Sequence, residues 1–264
     1  MEMSATLRKS FVRALSVTTA GILAVAALLG VIVSFTGAAL PEASEALRTD
    51  ARVRVEVGRR LAFLPEPRAP GSTTMRPPGA PTGLVLYPGG FVHPEAYAPV
   101  ARLIAEAGHP VVIIAVPLRL AFLDVEAAAV VPPIYPDVPR WAVGGHSLGG
   151  VAAAWFAQSQ PSRVAGLVLW AAYTDDAHTL AGSSLPVLSV SGTRDGNVTP
   201  SRISASRLTL PPTTRFVAID GGNHAQFGAY QFQLNDSTAD ITRTDQHRRV
   251  AEATVTFLDT LGAP

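Results

Sequence analysis

Cysteine is missing from all 264 residues. That excludes disulfide staples, zinc–thiolate centres, iron–sulfur clusters and a cysteine nucleophile, and leaves the redox compartment open. Charge is sparse as well. Asp, Glu, Lys and Arg make up 16% of the chain and nearly cancel, for a formal net charge of +1. Nucleic acid is therefore not attracted generally, and no basic cluster offers a surface that could track phosphates. Lysine occurs once, at Lys9. There is no GxxxxGK[ST] phosphate loop, no GxGxxG after the first buried strand and no internal repeat, which disfavours nucleotide- and dinucleotide-dependent chemistry. The chain is rich in apolar residues: a hydrophobic share of 48% rules out intrinsic disorder, and the length suits one ordinary domain plus an appendage.

The appendage is N-terminal. Arg8, Lys9 and Arg13 precede a stretch from Ala14 to Pro41 with no ionisable side chain, and Gly21–Leu40 is almost wholly apolar. As a helix that run rises about 30 Å, the thickness of a bilayer's hydrocarbon core. The expectation is an N-terminal membrane anchor over residues 1–41, a short charged stalk over 42–52 and the main domain over 53–264. A cleaved signal peptide is the alternative; its apolar region is normally about 7–15 residues, and Gly37-Ala38-Ala39 has the small residues of a cleavage site. A buried core helix would need cover on every side. The basic flank favours a main domain outside the cytoplasm, although Arg48, Arg52, Arg54, Arg59 and Arg60 blur the asymmetry.

Val53, Val55 and Val57 alternate with charged residues, the period of a half-exposed strand, and Leu61–Leu64 can return beside it. Pro65–Pro81 carries six prolines and reads as a surface loop. From residue 82 the pattern changes. Buried strands are expected at Leu84–Tyr87, Val111–Val116, Ala142–Gly144, Val164–Ala171, Val187–Val190 and Phe216–Ile219. Helices are expected at Glu95–Ala107, Gly149–Gln158 and Asp245–Leu261. Alternation of this kind means an α/β fold: a mostly parallel sheet with helices on both faces.

The strongest chemical signal is Gly145-His146-Ser147-Leu148-Gly149, between an apolar strand and a helix. A serine in a tight strand-to-helix turn presents its hydroxyl above the sheet, and glycines two positions either way avoid a collision. The hydroxyl is a weak nucleophile and needs a base. Of the six histidines, His224 in Asp220-Gly221-Gly222-Asn223-His224 follows an apolar strand, where a loop projects it over the sheet's carboxyl edge. His93 is a pocket residue by position and His109 a helix cap. His146 is expected to point away and pack, and His247 to lie in solvent. The carboxylate that fixes an imidazole tautomer is best supplied by Asp195 in Ser191-Gly192-Thr193-Arg194-Asp195-Gly196, with Asp175 and Asp176 as rivals; Asp-Gly also marks plain turns. The serine–acid–histidine order suits this architecture. Donors for a developing oxyanion are the backbone N–H of Leu148 and one from Pro88-Gly89-Gly90-Phe91, at Gly90 or Phe91.

These segments, with Tyr87-Pro88-Gly89-Gly90 and Gly221-Gly222-Asn223-His224-Ala225-Gln226-Phe227-Gly228, resemble the alpha/beta-hydrolase superfamily, and within it the dienelactone-hydrolase-like grouping called alpha/beta hydrolase fold family 5. The likeness covers about residues 52–262. It implies Ser147 as nucleophile, Asp195 as acid and His224 as base, with Gly90 and Leu148 near the oxyanion, and no cofactor or metal. Between Ala171 and Leu185 there is no room for the large helical cap of many relatives. Phe91–His93, residues 117–136 and Phe227–Asp236 are then expected to shape the pocket. The implied activity is a serine esterase acting through an acyl-enzyme on small-molecule esters; membrane attachment would favour amphiphilic ones. Acyl transfer with the same groups, or a non-catalytic binding protein on this fold, are the alternatives.

Overall fold

The computed structural model describes residues 37–67 and 81–262. Eight strands form one sheet: β1 (Val53–Val57), β2 (Arg60–Pro65), β3 (Thr82–Tyr87), β4 (Val111–Ile114), β5 (Arg140–His146), β6 (Leu167–Trp170), β7 (Val187–Gly192) and β8 (Arg215–Ile219). Their spatial order is β1-β2-β4-β3-β5-β6-β7-β8. The pairs β1–β2 and β2–β4 are antiparallel, and every pair from β4 to β8 is parallel. β3 and β4 are buried along their whole length, which is why they read as unbroken apolar runs. Chain order reverses between β3 and β5, the kind of place where open α/β sheets bind ligands.

Helices cover both faces. On one side lie α1 (Pro41–Ala46), α2 (Ala98–Glu106) and the long C-terminal α5 (Arg243–Gly262); α3 (Leu148–Ser159) covers the other, and the short α4 (Pro200–Ala205) lies between β7 and β8 in the chain. Beside α3, residues 117–134 form successive single turns of 3₁₀ helix rather than a regular helix. Ala121, Ala128 and Val131 from this stretch are buried in the core. Tyr87 ties it to the sheet: its hydroxyl donates to the Val125 carbonyl and accepts from Ala128 N–H at 3.1 Å.

Three expectations need correction. Residues 42–52 are not a free stalk. Ala43 and Ala46 are buried, Arg102 donates from Nε to the Ala46 carbonyl at 2.9 Å, and Asp50 accepts from Arg52 and Val53 N–H. The last five residues of the expected anchor, Gly37–Pro41, likewise belong to the domain, Pro41 opening α1. The Gly37 carbonyl accepts from His93 N–H at 2.9 Å, Leu40 N–H donates to the Ala229 carbonyl at 2.8 Å, and Ala39 forms a bridge with Tyr230. The rest of the expected anchor, residues 1–36, lies outside the described residues, as does most of the proline-rich loop. Among the described residues no helix is long and apolar enough to cross a membrane. Finally, His247 is buried on α5 rather than solvated.

Candidate active site

Ser147 follows β5 directly and starts α3. Its backbone sits at φ 53°, ψ −124°, a region that L residues enter only when the surroundings impose it. Those surroundings are visible. Ser147 N–H donates to the Trp170 carbonyl at 3.0 Å, and the Ser147 carbonyl accepts from Gly150 N–H at 2.9 Å. A Cβ on Gly145 would collide with the Gly149 backbone, and one on Gly149 with the carbonyls of Tyr87 and Pro88. The two glycines of the pentapeptide therefore permit the close passage of strand, turn and helix.

Asp195 and His224 meet in a loop cluster beyond β7 and β8. His224 Nδ1 lies 2.9 Å from Asp195 Oδ2, and both side chains are buried. The other carboxylate oxygen of Asp195 accepts from Asn197 N–H at 2.8 Å and Val198 N–H at 2.6 Å, which fixes the orientation of the carboxylate. With its Nδ1 proton held by a carboxylate, His224 offers Nε2 as its basic nitrogen. Behind it, Gln246 grips the preceding residue twice, accepting from Asn223 N–H at 3.0 Å and donating to its carbonyl at 2.7 Å. Among the described residues no hydrogen bond joins the Ser147 hydroxyl to the imidazole. His146, the residue before Ser147, has its ring centroid 4.6 Å from that of His224.

The rival acids are elsewhere. Asp175 caps a 3₁₀ turn and binds its own neighbour His178 at 2.7 Å, and Asp176 lies within that turn. Of the proposed oxyanion donors, Phe91 drops out: its N–H donates to the Arg119 carbonyl at 2.8 Å. Gly90 and Leu148 face one another across the turn, a Cβ on Gly90 falling 2.7 Å from Leu148 Cδ1. Neither backbone N–H has a partner among the described residues.

A sequence profile of the Alpha/beta hydrolase family matches residues 83–248, which includes every group just described. The chain belongs to the alpha/beta hydrolase family. Solved structures of that fold superpose on most of it. TT1662 from Thermus thermophilus is 17% identical, with a TM-score of 0.54 over 81% of this chain and all of that one. Esterase Rv0045c from Mycobacterium tuberculosis is 16% identical, with a TM-score of 0.55 over 82% and 95%. A bacterial membrane phospholipase A is 15% identical, with a TM-score of 0.55 over 96% and 99%. At such identities the likeness is one of fold. No curated protein matches the sequence.

The hydrolase site contains polar groups that no motif announced. His146 packs, as expected, and it packs against the ring of His224. It is buried, stacks on Phe227 with centroids 5.4 Å apart, and its Nδ1 lies 2.9 Å from the Tyr97 hydroxyl. That hydroxyl accepts from Gly89 N–H at 2.9 Å. Burial, and then the nearby His224, hold His146 well below the ordinary imidazole value. Phe227 and Tyr230, expected as pocket wall, are fully buried behind the histidines. Nothing in the sequence around Tyr97 marks it. His93 lies half-exposed beside Glu95 and close to the glycine turn, as its position suggested. His109 is not a simple cap: its ring bonds the Thr82 carbonyl at 2.9 Å and Asp259 at 3.0 Å, joining β3 to α5. Among the described residues no cluster of three or more His, Asp or Glu side chains could hold a metal ion.

Proposed function

We propose that this hydrolase cleaves carboxylic esters through an acyl-enzyme formed on Ser147. The observations that carry the reading are the buried Asp195–His224 pair at 2.9 Å and a serine held at φ 53° between strand and helix. His224 Nε2 takes the hydroxyl proton as Ser147 Oγ bonds to the ester carbonyl carbon. The carbonyl oxygen, now an anion, is received by the N–H groups of Leu148 and Gly90. Asp195 stabilises the imidazolium without taking its proton. Collapse of the tetrahedral adduct breaks the carbon–alkoxide bond, and the leaving alcohol takes the proton from Nε2. Water then repeats the sequence on the acyl-serine, releasing the acid and restoring the serine. Each oxyanion donor contributes on the order of 10²–10³ in rate.

Substrate preference follows from the rim. Phe91 is 40% exposed, Leu148 43% and Leu118 77%; Leu148 follows the serine and faces Gly90, next to Phe91, and Leu118 precedes Arg119, whose carbonyl accepts from Phe91 N–H. An uncapped site with apolar residues standing in solvent suits esters that bring their own apolar surface. Relatives in fold include Est1E from Butyrivibrio proteoclasticus and the membrane phospholipase A, and an amphiphilic ester is the substrate class proposed here. The apolar run ending at Thr36 is read as the anchor that holds the domain at a membrane, facing away from the cytoplasm.

The test is labelling with a fluorophosphonate probe in separated membrane and soluble fractions, followed by mass spectrometry of the modified peptide. Label on Ser147 in the membrane fraction is expected. An unlabelled folded protein, or label on another serine, would overturn the reading of the nucleophile; Ser147 labelled only in the soluble fraction would overturn the anchor.

A further inference from the structure

The acid and the base of this site reside on separate loops, after β7 and after β8, and a hydrogen bond of 2.9 Å between them tolerates little drift. One side chain outside the pair spans both loops. Asp236 Oδ1 accepts from Gly196 N–H at 3.1 Å and from His224 N–H at 3.2 Å, and Oδ2 accepts from Ala225 N–H at 2.8 Å. Oδ1 also takes the N–H of Ser237 at 2.9 Å. Gly196 is the residue after Asp195, so one carboxylate holds the backbone beside the acid and the backbone of the base itself.

Two further features bring Asp236 to that point. Asn235 adopts φ 63°, the left-handed conformation that asparagine tolerates better than most residues. Gly196 has no Cβ where one would collide with the Asn235 carbonyl oxygen. The glycine of the Asp195-Gly196 dipeptide therefore has a role besides making a turn: it lets the 233–237 segment lie against the acid loop. On the far side, Asn223 Nδ2 donates to the Ser237 carbonyl at 2.7 Å, fixing the same segment to the residue before His224.

We propose that Asp236 is a positioning residue that sets the separation and alignment of Asp195 and His224. Among the described residues its hydrogen bonds are to backbone N–H groups and not to the imidazole ring. It acts by accepting four backbone donors, three of them from the two loops that carry the pair. Charge-assisted acceptance by a carboxylate is about twice as strong as by a neutral group, and small misplacements of a catalytic group are costly in rate. The proposal rests on the esterase reading for its kinetic consequence, but its geometric content does not.

Asp236→Ala and Asp236→Asn would be compared with Phe257→Leu, a core substitution on α5 that lowers stability without touching the loops. Kinetics would be measured with a short p-nitrophenyl ester and normalised to folded protein. Asp236→Ala is expected to lower kcat ~100-fold with KM changed by less than about threefold, because misplacement acts on the reacting groups and not on ground-state binding. Asp236→Asn retains acceptor capacity at Oδ1 but sets an amide N–H₂ against Ala225 N–H, so it should recover about a tenfold part of that loss. Phe257→Leu should change thermal stability and leave kcat in place.

A second readout needs no substrate. The proton shared by His224 Nδ1 and Asp195 gives a low-field NMR resonance, assigned by its loss in His224→Ala. It should broaden or disappear in Asp236→Ala and persist in Phe257→Leu. Wild-type kcat together with an intact resonance in Asp236→Ala would overturn the proposal. Should that variant fail to fold, the same two wild-type results in Asp236→Asn would do so. If the wild-type protein hydrolyses no ester, the esterase reading fails alone, and the resonance still decides for or against the clamp.

Discussion

His146 and His224 stand ring against ring, 4.6 Å between centroids, yet their partners differ in kind. His224 faces the carboxylate of Asp195. His146 faces a phenol, Tyr97, and burial with the neighbouring ring keeps it neutral. Two adjacent cations would repel strongly in so dry a place. In the reaction proposed above only His224 carries a charge, and His146 serves as an uncharged wall.

That wall can be tested through Tyr97. The hydroxyl accepts from Gly89 N–H and lies 2.9 Å from His146 Nδ1, so Tyr97→Phe leaves a buried donor and a buried acceptor unmatched. Such groups cost about 1–3 kcal/mol each. Denaturant unfolding should show a loss of about 2–6 kcal/mol for the two together. Because Gly89 leads into the turn that supplies Gly90 N–H, kcat should also fall by about an order of magnitude if that donor shifts. Unchanged stability and unchanged kcat would refute the link between Tyr97 and the turn.

The serine itself should be held at a cost in stability. At φ 53°, ψ −124° a residue with a Cβ carries about 1–3 kcal/mol of backbone strain, and glycine carries almost none. Ser147→Ala and Ser147→Gly should both lose on the order of 10⁴-fold or more in kcat. The glycine variant should nonetheless be the more stable, by about 1 kcal/mol after its larger unfolded-state entropy is subtracted. Thermal unfolding of the two purified variants checks the order; an alanine variant that melts higher would mean the turn is not strained.

Much of this was legible in the residues because it is local. Apolar runs of strand length, glycines at fixed offsets from Ser147, and the chain order of Ser147, Asp195 and His224 are properties of short segments, and the structure has each at the end of its expected strand. What escaped is tertiary. The loss of Phe91 N–H to the Arg119 carbonyl depends on left-handed backbone at Leu118 and Arg119, which neither residue advertises. Residues 117–134, apolar but punctuated by prolines, carry no helical period and fold as 3₁₀ turns. The clamp at Asp236 draws its donors from residues far apart in the chain. Helix α4 was a missed signal of the local kind: Thr199 before Pro200 caps it, accepting from Arg202 N–H, as Ser/Thr-Pro does at helix starts.

The junction at Gly37–Leu40 should matter for the domain whatever precedes it. The Gly37 carbonyl holds His93 N–H, next to the glycine turn, and Leu40 N–H holds the Ala229 carbonyl, in the loop after His224. A chain that starts at residue 37 keeps both bonds, and one that starts at residue 41 loses both and the Ala39–Tyr230 bridge. At about 1 kcal/mol per hydrogen bond, the shorter chain should be less stable by roughly 2 kcal/mol and should show a lower kcat. Equal stability and equal kcat would mean that these residues merely rest on the surface. The same contacts argue against processing at Gly37-Ala38-Ala39, since cleavage there would break the Gly37 bond.

Acid should weaken the fold through His247. Its ring is buried on α5, and its Nε2 finds no partner among the described residues. Burial chiefly, and then the charge of Arg243, push its pKa down to about 4, the Gly228 carbonyl and Glu42 offsetting this in part. The folded state thus resists a proton that the unfolded chain accepts at an ordinary imidazole value of about 6.5. Stability from this residue is complete above about pH 6.5 and is lost as pH falls toward about 4, by roughly 2–3 kcal/mol at pH 4.5. His146 acts in the same direction, so the wild-type protein loses more than this single contribution. His247→Met removes the titration and keeps an apolar side chain of similar length. Urea midpoints measured at pH 7 and pH 4.5 should therefore converge in the variant relative to the wild type. An equal acid loss in both proteins would show that the imidazole of residue 247 takes up its proton without disturbing the fold.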